Sequence, residues 1–162
     1  MTDITIIGSG NMARAIGTRA VAAGRSVQIL NRTPENAAKL AAELGGTTSS
    51  GGLSEVPEGD IVFLALYFGP AKEVATHFGD TLSGKTVVDI CNPIDTETFD
   101  SLVVAPGTSA AEEIAALLPG ARVVKAFNTT FAGPLGSSAA GGQPMDVFIA
   151  SDSEEARNEV AV

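Results

Sequence analysis

The stretch Asp3-Ile-Thr-Ile-Ile-Gly-Ser-Gly-Asn-Met-Ala13 decides the fold. Its first residues form a short apolar run, and Gly8-Ser9-Gly10-Asn11-Met12-Ala13 then spells G-x-G-x-x-A. Glycine is abundant in this chain, so the pattern alone carries little. Its context carries much more: it follows a predicted strand directly and opens a predicted helix, Asn11 to Ala23. Gly8 suits a tight turn. Gly10 lacks a Cβ, which leaves room for a pyrophosphate against the backbone. Ala13 lets the helix lie close to a sheet. The helix N-terminus then offers free N–H groups and a positive dipole end to phosphate. The bland alternative is an ordinary glycine turn between strand and helix.

The pattern repeats outward from this stretch. Val27–Asn31 reads as a second strand. Thr33 is a candidate N-cap with Pro34 at the first helical position. Ala37, Leu40, Ala41 and Leu44 recur at helical spacing until Gly45-Gly46. Thr47–Ser49 is a weak third strand. Ile61–Leu66 is apolar on both faces, as a central parallel strand should be. Pro70 opens a helix, Thr86–Ile90 is a strand, and Ser109-Ala-Ala-Glu112 fits a capping box. Arg122–Phe127 and Asp146–Ala150 are further strands, and a helix begins after Ser151. Alternating strands and helices imply right-handed crossovers. The expected fold is α/β: a Rossmann-type, doubly wound, mostly parallel sheet with helices on both faces.

Composition agrees. The chain has 162 residues, the size of one domain, with 44% hydrophobic residues, enough for a packed core. Lys and Arg total 10 against 19 Asp and Glu, a formal charge of −9. That balance disfavours nucleic acid and anionic membrane surfaces as partners. One cysteine, Cys91, and one histidine, His77, give neither an internal disulfide nor a zinc site. The apolar run Ile4–Ile7 is too short for a signal peptide or a membrane span. A soluble, cytoplasmic protein without a metal is expected.

The end of the second strand reads out the dinucleotide. A site for NAD needs a carboxylate there to bind the ribose 2′-OH. This chain has Asn31, Arg32 and Thr33 instead. Asn31 and Thr33 can donate hydrogen bonds to a 2′-phosphate, and Arg32 can pair with it or stack on adenine. NADP(H) is therefore the expected cofactor. The later strand ends, Leu66-Tyr67-Phe68, Cys91-Asn92-Pro93 and Phe127-Asn128-Thr129, should border the nicotinamide. Tyr67 and Phe68 are placed either to pack on its ring or to fill the core. Asn92 and Asn128 serve either ligand recognition or turn chemistry. Cys91 reads as a packing residue and His77 as a helix-surface one. No side chain is expected to act as a catalytic acid or base. The carboxylates fall on predicted helix surfaces and loops.

These segments together resemble a family. Gly8-Ser-Gly-Asn-Met12, Asn31-Arg-Thr33, Asn92-Pro93 and the block from Ala111 through Leu118-Pro-Gly-Ala-Arg-Val-Val-Lys-Ala-Phe-Asn-Thr129 are similar to the NADPH-dependent deazaflavin reductases, the coenzyme F-420:NADP oxidoreductases. The Gly-x-Gly-Asn-Met opening is shared with pyrroline-5-carboxylate reductases. The resemblance implies direct hydride transfer between the nicotinamide and a deazaflavin co-substrate, coenzyme F-420. It implies cofactor contacts at Ser9, Gly10, Asn11, Met12, Asn31, Arg32, Tyr67, Asn92 and Ala126, with Asn128 and Thr129 facing the deazaflavin. With the strand ends, the expected cofactor set also takes in Gly8, Thr33, Leu66 and Pro93.

Family chains often carry proline near Tyr67 and continue past the point matching Val162. Residues 1–150 are accordingly expected to form the NADP-binding domain. Residues 151–162 are expected to begin a shortened or truncated C-terminal helical extension. Where that extension is present, a homodimer is expected. The alternatives left open are another hydride acceptor (an imine, a flavin or a ferric centre) or a module that binds NADPH without catalysis.

Overall fold

The computed structural model describes residues 2–137, 143 and 145–161. Seven strands form one sheet in the order β3-β2-β1-β4-β5-β6-β7. They are β1 (Ile4–Ile7), β2 (Val27–Asn31), β3 (Thr48–Gly52), β4 (Ile61–Leu64), β5 (Thr86–Asp89), β6 (Arg122–Ala126) and β7 (Ile149–Ala150). The first six run parallel, and β7 pairs antiparallel with β6. The helices are α1 (Asn11–Ala22), α2 (Pro34–Leu44), α3 (Phe68–Phe78), α4 (Ala110–Leu117), α5 (Ala132–Ser137) and α6 (Glu154–Val160). The order reverses between β1 and β4, which creates a crevice at the carboxyl edge of the sheet.

Two apolar layers hold this arrangement, one on each face of the sheet. Ile29, Ile6, Phe63, Val88 and Val124 lie in register across five strands. They pack against Ala13 and Ile16 of α1, Leu40 of α2, Leu135 of α5 and Ala156 of α6. On the other face Ile7, Leu30 and Leu64 meet Phe68 and Val74 of α3 and Ile114 of α4. The residues after Leu64 in that second register row are not apolar. Asp89 and Lys125 complete it, on β5 and β6.

Several local expectations shift. β3 runs to Gly52, beyond the three residues read from the sequence. α3 starts at Phe68, so Pro70 sits inside the first turn, where a missing N–H costs nothing. The last strand shortens to Ile149–Ala150. α5 is a six-residue helix that carries glycine and proline and has little periodicity to read. Ser109 accepts the Glu112 N–H at 3.2 Å, as the capping pattern requires. Thr33 occupies the N-cap of α2, yet its side chain makes no cap bond. α6 is capped by Ser153, which accepts the Ala156 N–H at 3.2 Å. Among the described residues no helix is long and apolar enough to cross a membrane.

Candidate functional site: a cleft at the carboxyl edge

The β1–α1 turn begins at Gly8, whose φ is +124°. A Cβ there would drive into the Ala65 carbonyl at the end of β4, so close strand approach and backbone angle both demand glycine. Gly10 differs. Its φ of −78° is ordinary, and a Cβ there would meet nothing within 4 Å. It faces open space. Gly10 is the N-cap of α1, with no side-chain cap and no acidic residue in the first turn. The helix therefore presents uncommitted N–H groups and an unneutralised positive end. Ala13 is fully buried beneath this turn.

These residues open onto a cleft of about 610 Å³. Gly8, Ser9, Gly10, Asn11, Met12, Asn31, Leu66, Tyr67 and Asn92 line it, as do Ala65, Pro70, Ile90, Cys91, Ile94, Thr96 and Phe99. No charged side chain is among them, in a chain of net charge −9. Carboxylates are kept off the walls where an anionic pyrophosphate would lie. The cleft, the open Gly10 and the bare helix terminus together fit a dinucleotide.

Asn31 ties the ends of β1 and β2 together. Its Nδ2 donates to Ser9 Oγ at 2.9 Å, and its Oδ1 accepts the Thr33 N–H at 2.9 Å. Arg32 lies outside the cleft lining and pairs with Glu73 of α3 at 3.1 Å, both side chains largely exposed. Thr33 is exposed beside it. The neighbouring Lys72 is engaged elsewhere, with Glu113 at 2.6 Å and over the Phe68 ring at 5.2 Å.

The far end of the cleft is held by side chains. Asp89 is fully buried and accepts from Lys125 Nζ at 2.8 Å and from the Cys91 N–H at 2.9 Å. The Cys91 thiol also donates to Asp89, and Lys125 donates to the Cys91 carbonyl. Burial, then the neighbouring carboxylate, push the Cys91 thiol up to about 12. Cys91 is thus a wall residue kept protonated rather than a nucleophile. Asp89 corrects the expectation that the carboxylates sit on helix surfaces and loops. Its acceptor positions are filled by Lys125 and Cys91, so it anchors the strand ends. The register of two strands brings together Asp89 and Lys125, 36 positions apart, and no local pattern announces it.

Above that cluster Asn92 Nδ2 donates to the Asn128 carbonyl at 2.8 Å, and Asn128 Nδ2 faces Asn92 Oδ1 at 3.4 Å. Phe127 makes this possible by turning the chain at φ +62°, with its ring edge-on to Phe63 at 5.8 Å. Pro93, Ala126, Asn128 and Thr129 do not line the cleft. Ala126 is fully buried in the sheet core, backbone included. Next to Thr129, the buried Thr130 hydroxyl has no partner among the described residues. His77 lies apart, with Nε2 on the Leu53 carbonyl at 2.8 Å. Ile94, Thr96 and Phe99 are wall residues outside the strand ends expected to border the site. They belong to an excursion after β5 whose sequence carries no periodic signal. Among the described residues no cluster of His, Cys, Asp or Glu can hold a metal ion.

Residues 3–93 match the family described as NADP oxidoreductase, coenzyme F420-dependent. Over 98% of its length the chain is 33% identical to the rat metalloreductase STEAP3, of which it covers 30%. It thus spans about a third of the length of the curated relatives that it matches end to end. A hypothetical protein from Sinorhizobium meliloti superposes with a TM-score of 0.87 at 31% identity, covering 99% of this chain and 78% of that one. A protein assigned as an F420-dependent NADP-reductase from Arthrobacter sp. FB24 superposes with a TM-score of 0.84 at 26% identity, with the same coverages.

Proposed function

Because the chain belongs to the family of coenzyme F420-dependent NADP oxidoreductases, we propose that it binds NADPH in this cleft and passes a hydride to a deazaflavin coenzyme. The observation that carries the reading is the bare N-terminus of α1 opening onto an uncharged cleft at the β1/β4 switch point. Gly10 leaves the pyrophosphate room, and the N–H groups from Ser9 to Met12 receive it. Asn31, Arg32 and Thr33 take the 2′-phosphate. Leu66 and Tyr67 flank the nicotinamide, and Asn92 with Pro93 borders its carboxamide. Asn128 and Thr129 face the acceptor.

When bound, the reduced nicotinamide supplies a hydride, and the acceptor ring gains that electron pair and a proton from water. The chain's own part is positioning and exclusion of water. The cleft walls carry no free carboxylate, imidazole or amine: Cys91 is held protonated, Asp89 is committed to Lys125, and His77 is remote. NADPH deuterated at the 4-position, reacted with the deazaflavin coenzyme, tests the reading. The label should reach the deazaflavin carbon with no washout. Solvent hydrogen at that carbon would contradict it.

Likeness to a metalloreductase over 98% of this chain favours one second reading, in which the same cleft delivers hydride to a flavin that reduces a ferric centre. Ferric chelate reduction that requires added flavin, with no deazaflavin turnover, would select it.

A further inference from the structure

One face of the sheet carries a row in register across β2, β1 and β4: Leu30, Ile7 and Leu64, all buried. The row continues onto β5 and β6 with Asp89 and Lys125, an ion pair at 2.8 Å. Its carboxylate is fully buried and its ammonium largely so. Apolar side chains would extend the row, and replacing a buried ion pair by such side chains is often neutral or stabilising. Stability alone therefore does not account for the pair.

Its bonds lead to the cleft. The strand β5 ends at Asp89. Just past it, the Cys91 N–H donates to Asp89 Oδ1 at 2.9 Å, and the Cys91 carbonyl accepts from Lys125 Nζ. The same Nζ donates to Asp89 Oδ2. One ion pair thus grips both backbone polar groups of Cys91. The next residue, Asn92, lines the cleft and donates to the Asn128 carbonyl at 2.8 Å. Asn128 lies just past the end of β6, in the same strand connection as Lys125. The bonds therefore close a circuit: from β6 to Cys91, along the chain to Asn92, and back to the chain beyond β6.

We propose that Asp89 and Lys125 are positioning residues: they hold the Cys91 peptide so that the Asn92 carboxamide stays fixed at the nicotinamide end of the cleft, and this governs the rate of hydride transfer and not the affinity for the dinucleotide. The inference rests on the NADPH reading of this cleft. Under that reading affinity comes chiefly from the phosphates, held by Gly8–Ala13 and Asn31–Thr33 at the other end. The rate depends instead on how the nicotinamide is placed, where an error of about 1 Å can cost about a hundredfold.

Asp89→Val combined with Lys125→Met removes both charges and strands neither, so this double variant should keep a thermal midpoint near the parent's. Asp89→Asn is the second variant: it keeps the shape and an acceptor for the Cys91 N–H but loses the charged hold on Lys125. In the ligand-free protein, the side-chain amide NMR signal of Asn92 should move toward that of a free carboxamide in the double variant. Calorimetry should give both variants an NADP+ affinity within about threefold of the parent's. Single-turnover hydride transfer from NADPH to coenzyme F-420 should fall about a hundredfold in the double variant and about tenfold in Asp89→Asn. An unmoved Asn92 signal in the folded double variant, an unchanged transfer rate, or NADP+ affinity lost in proportion to the rate would each overturn the proposal. If the parent itself binds no NADP+ or transfers no hydride, the reading of the cleft fails, and the Asn92 signal still decides whether the pair holds that side chain.

Discussion

At the Gly8–Ala13 end of the cleft the wall is backbone. A strand end, a helix N-terminus and two glycines do the work, all within six consecutive residues. At the Asn92–Phe99 end the wall is side chains and strained backbone. A buried Asp89–Lys125 pair, a reciprocal contact between Asn92 and Asn128, and left-handed Phe99 and Phe127 hold it. Under the proposed function the first end meets only the pyrophosphate, which every dinucleotide carries. The second offers shape and aromatic side chains, Tyr67 and Phe99 among them. A substitution should act according to the material it touches: all-or-none at the backbone end, graded at the side-chain end.

Gly10→Val tests the backbone end with the largest expected effect. Its Cβ enters open space at an ordinary φ, so the variant should fold with the parent's thermal midpoint. The side chain then occupies the space given to the pyrophosphate. Calorimetry should detect no NADP(H) binding.

Cys91 tests the side-chain end. With its thiol raised to about 12, against roughly 8.5 for an ordinary thiol, its thiolate fraction at pH 8 falls by roughly a thousandfold. Iodoacetamide labelling of the folded protein should be slower than that of the urea-unfolded chain by at least that factor. A thiol whose folded value is raised favours the folded state below its unfolded value. That contribution should be lost as pH rises from about 8.5 toward 12. Equal labelling rates in the two states would break the contrast between the ends.

The legibility of the sequence divides along the same line. The βαβ unit, the glycine turn and the Asn31-Arg32-Thr33 strand end were readable because each depends on residues adjacent in the chain. The parallel sheet followed from strand–helix alternation, and the doubly wound order agrees with it. Asp89 and Lys125 were opaque. They lie 36 positions apart and meet only because β5 and β6 pair in that register. The Ile94–Phe99 wall was opaque too, because its hairpin-like loop is closed by backbone bonds that leave no mark in hydrophobic period. α5, six residues with glycine and proline, takes its stability from packing on α1 rather than from propensity.

Arg32 and Glu73 sharpen the comparison at the mouth of the cleft. Arg32→Ala should weaken NADP(H) selectively. A charge-assisted hydrogen bond contributes about 1.5–3 kcal/mol, so the expected loss is about ten- to a hundredfold, with NAD(H) little changed. The smallest effect belongs to Glu73, which holds Arg32 at 3.1 Å in an exposed pair. Removing its charge frees Arg32 for a phosphate, so Glu73→Gln should tighten NADP(H) by about two- to fivefold. Weaker NADP(H) binding in that variant would mean that Glu73 orients Arg32 rather than competing for it.

The measurement that bears most directly on the account is the affinity of the unmodified protein for NADPH and for NADH, taken by calorimetry in the same buffer and salt. A strand end bearing Asn31, Arg32 and Thr33 in place of a carboxylate predicts NADPH binding at least tenfold tighter. Equal affinities, or tighter NADH, would contradict it.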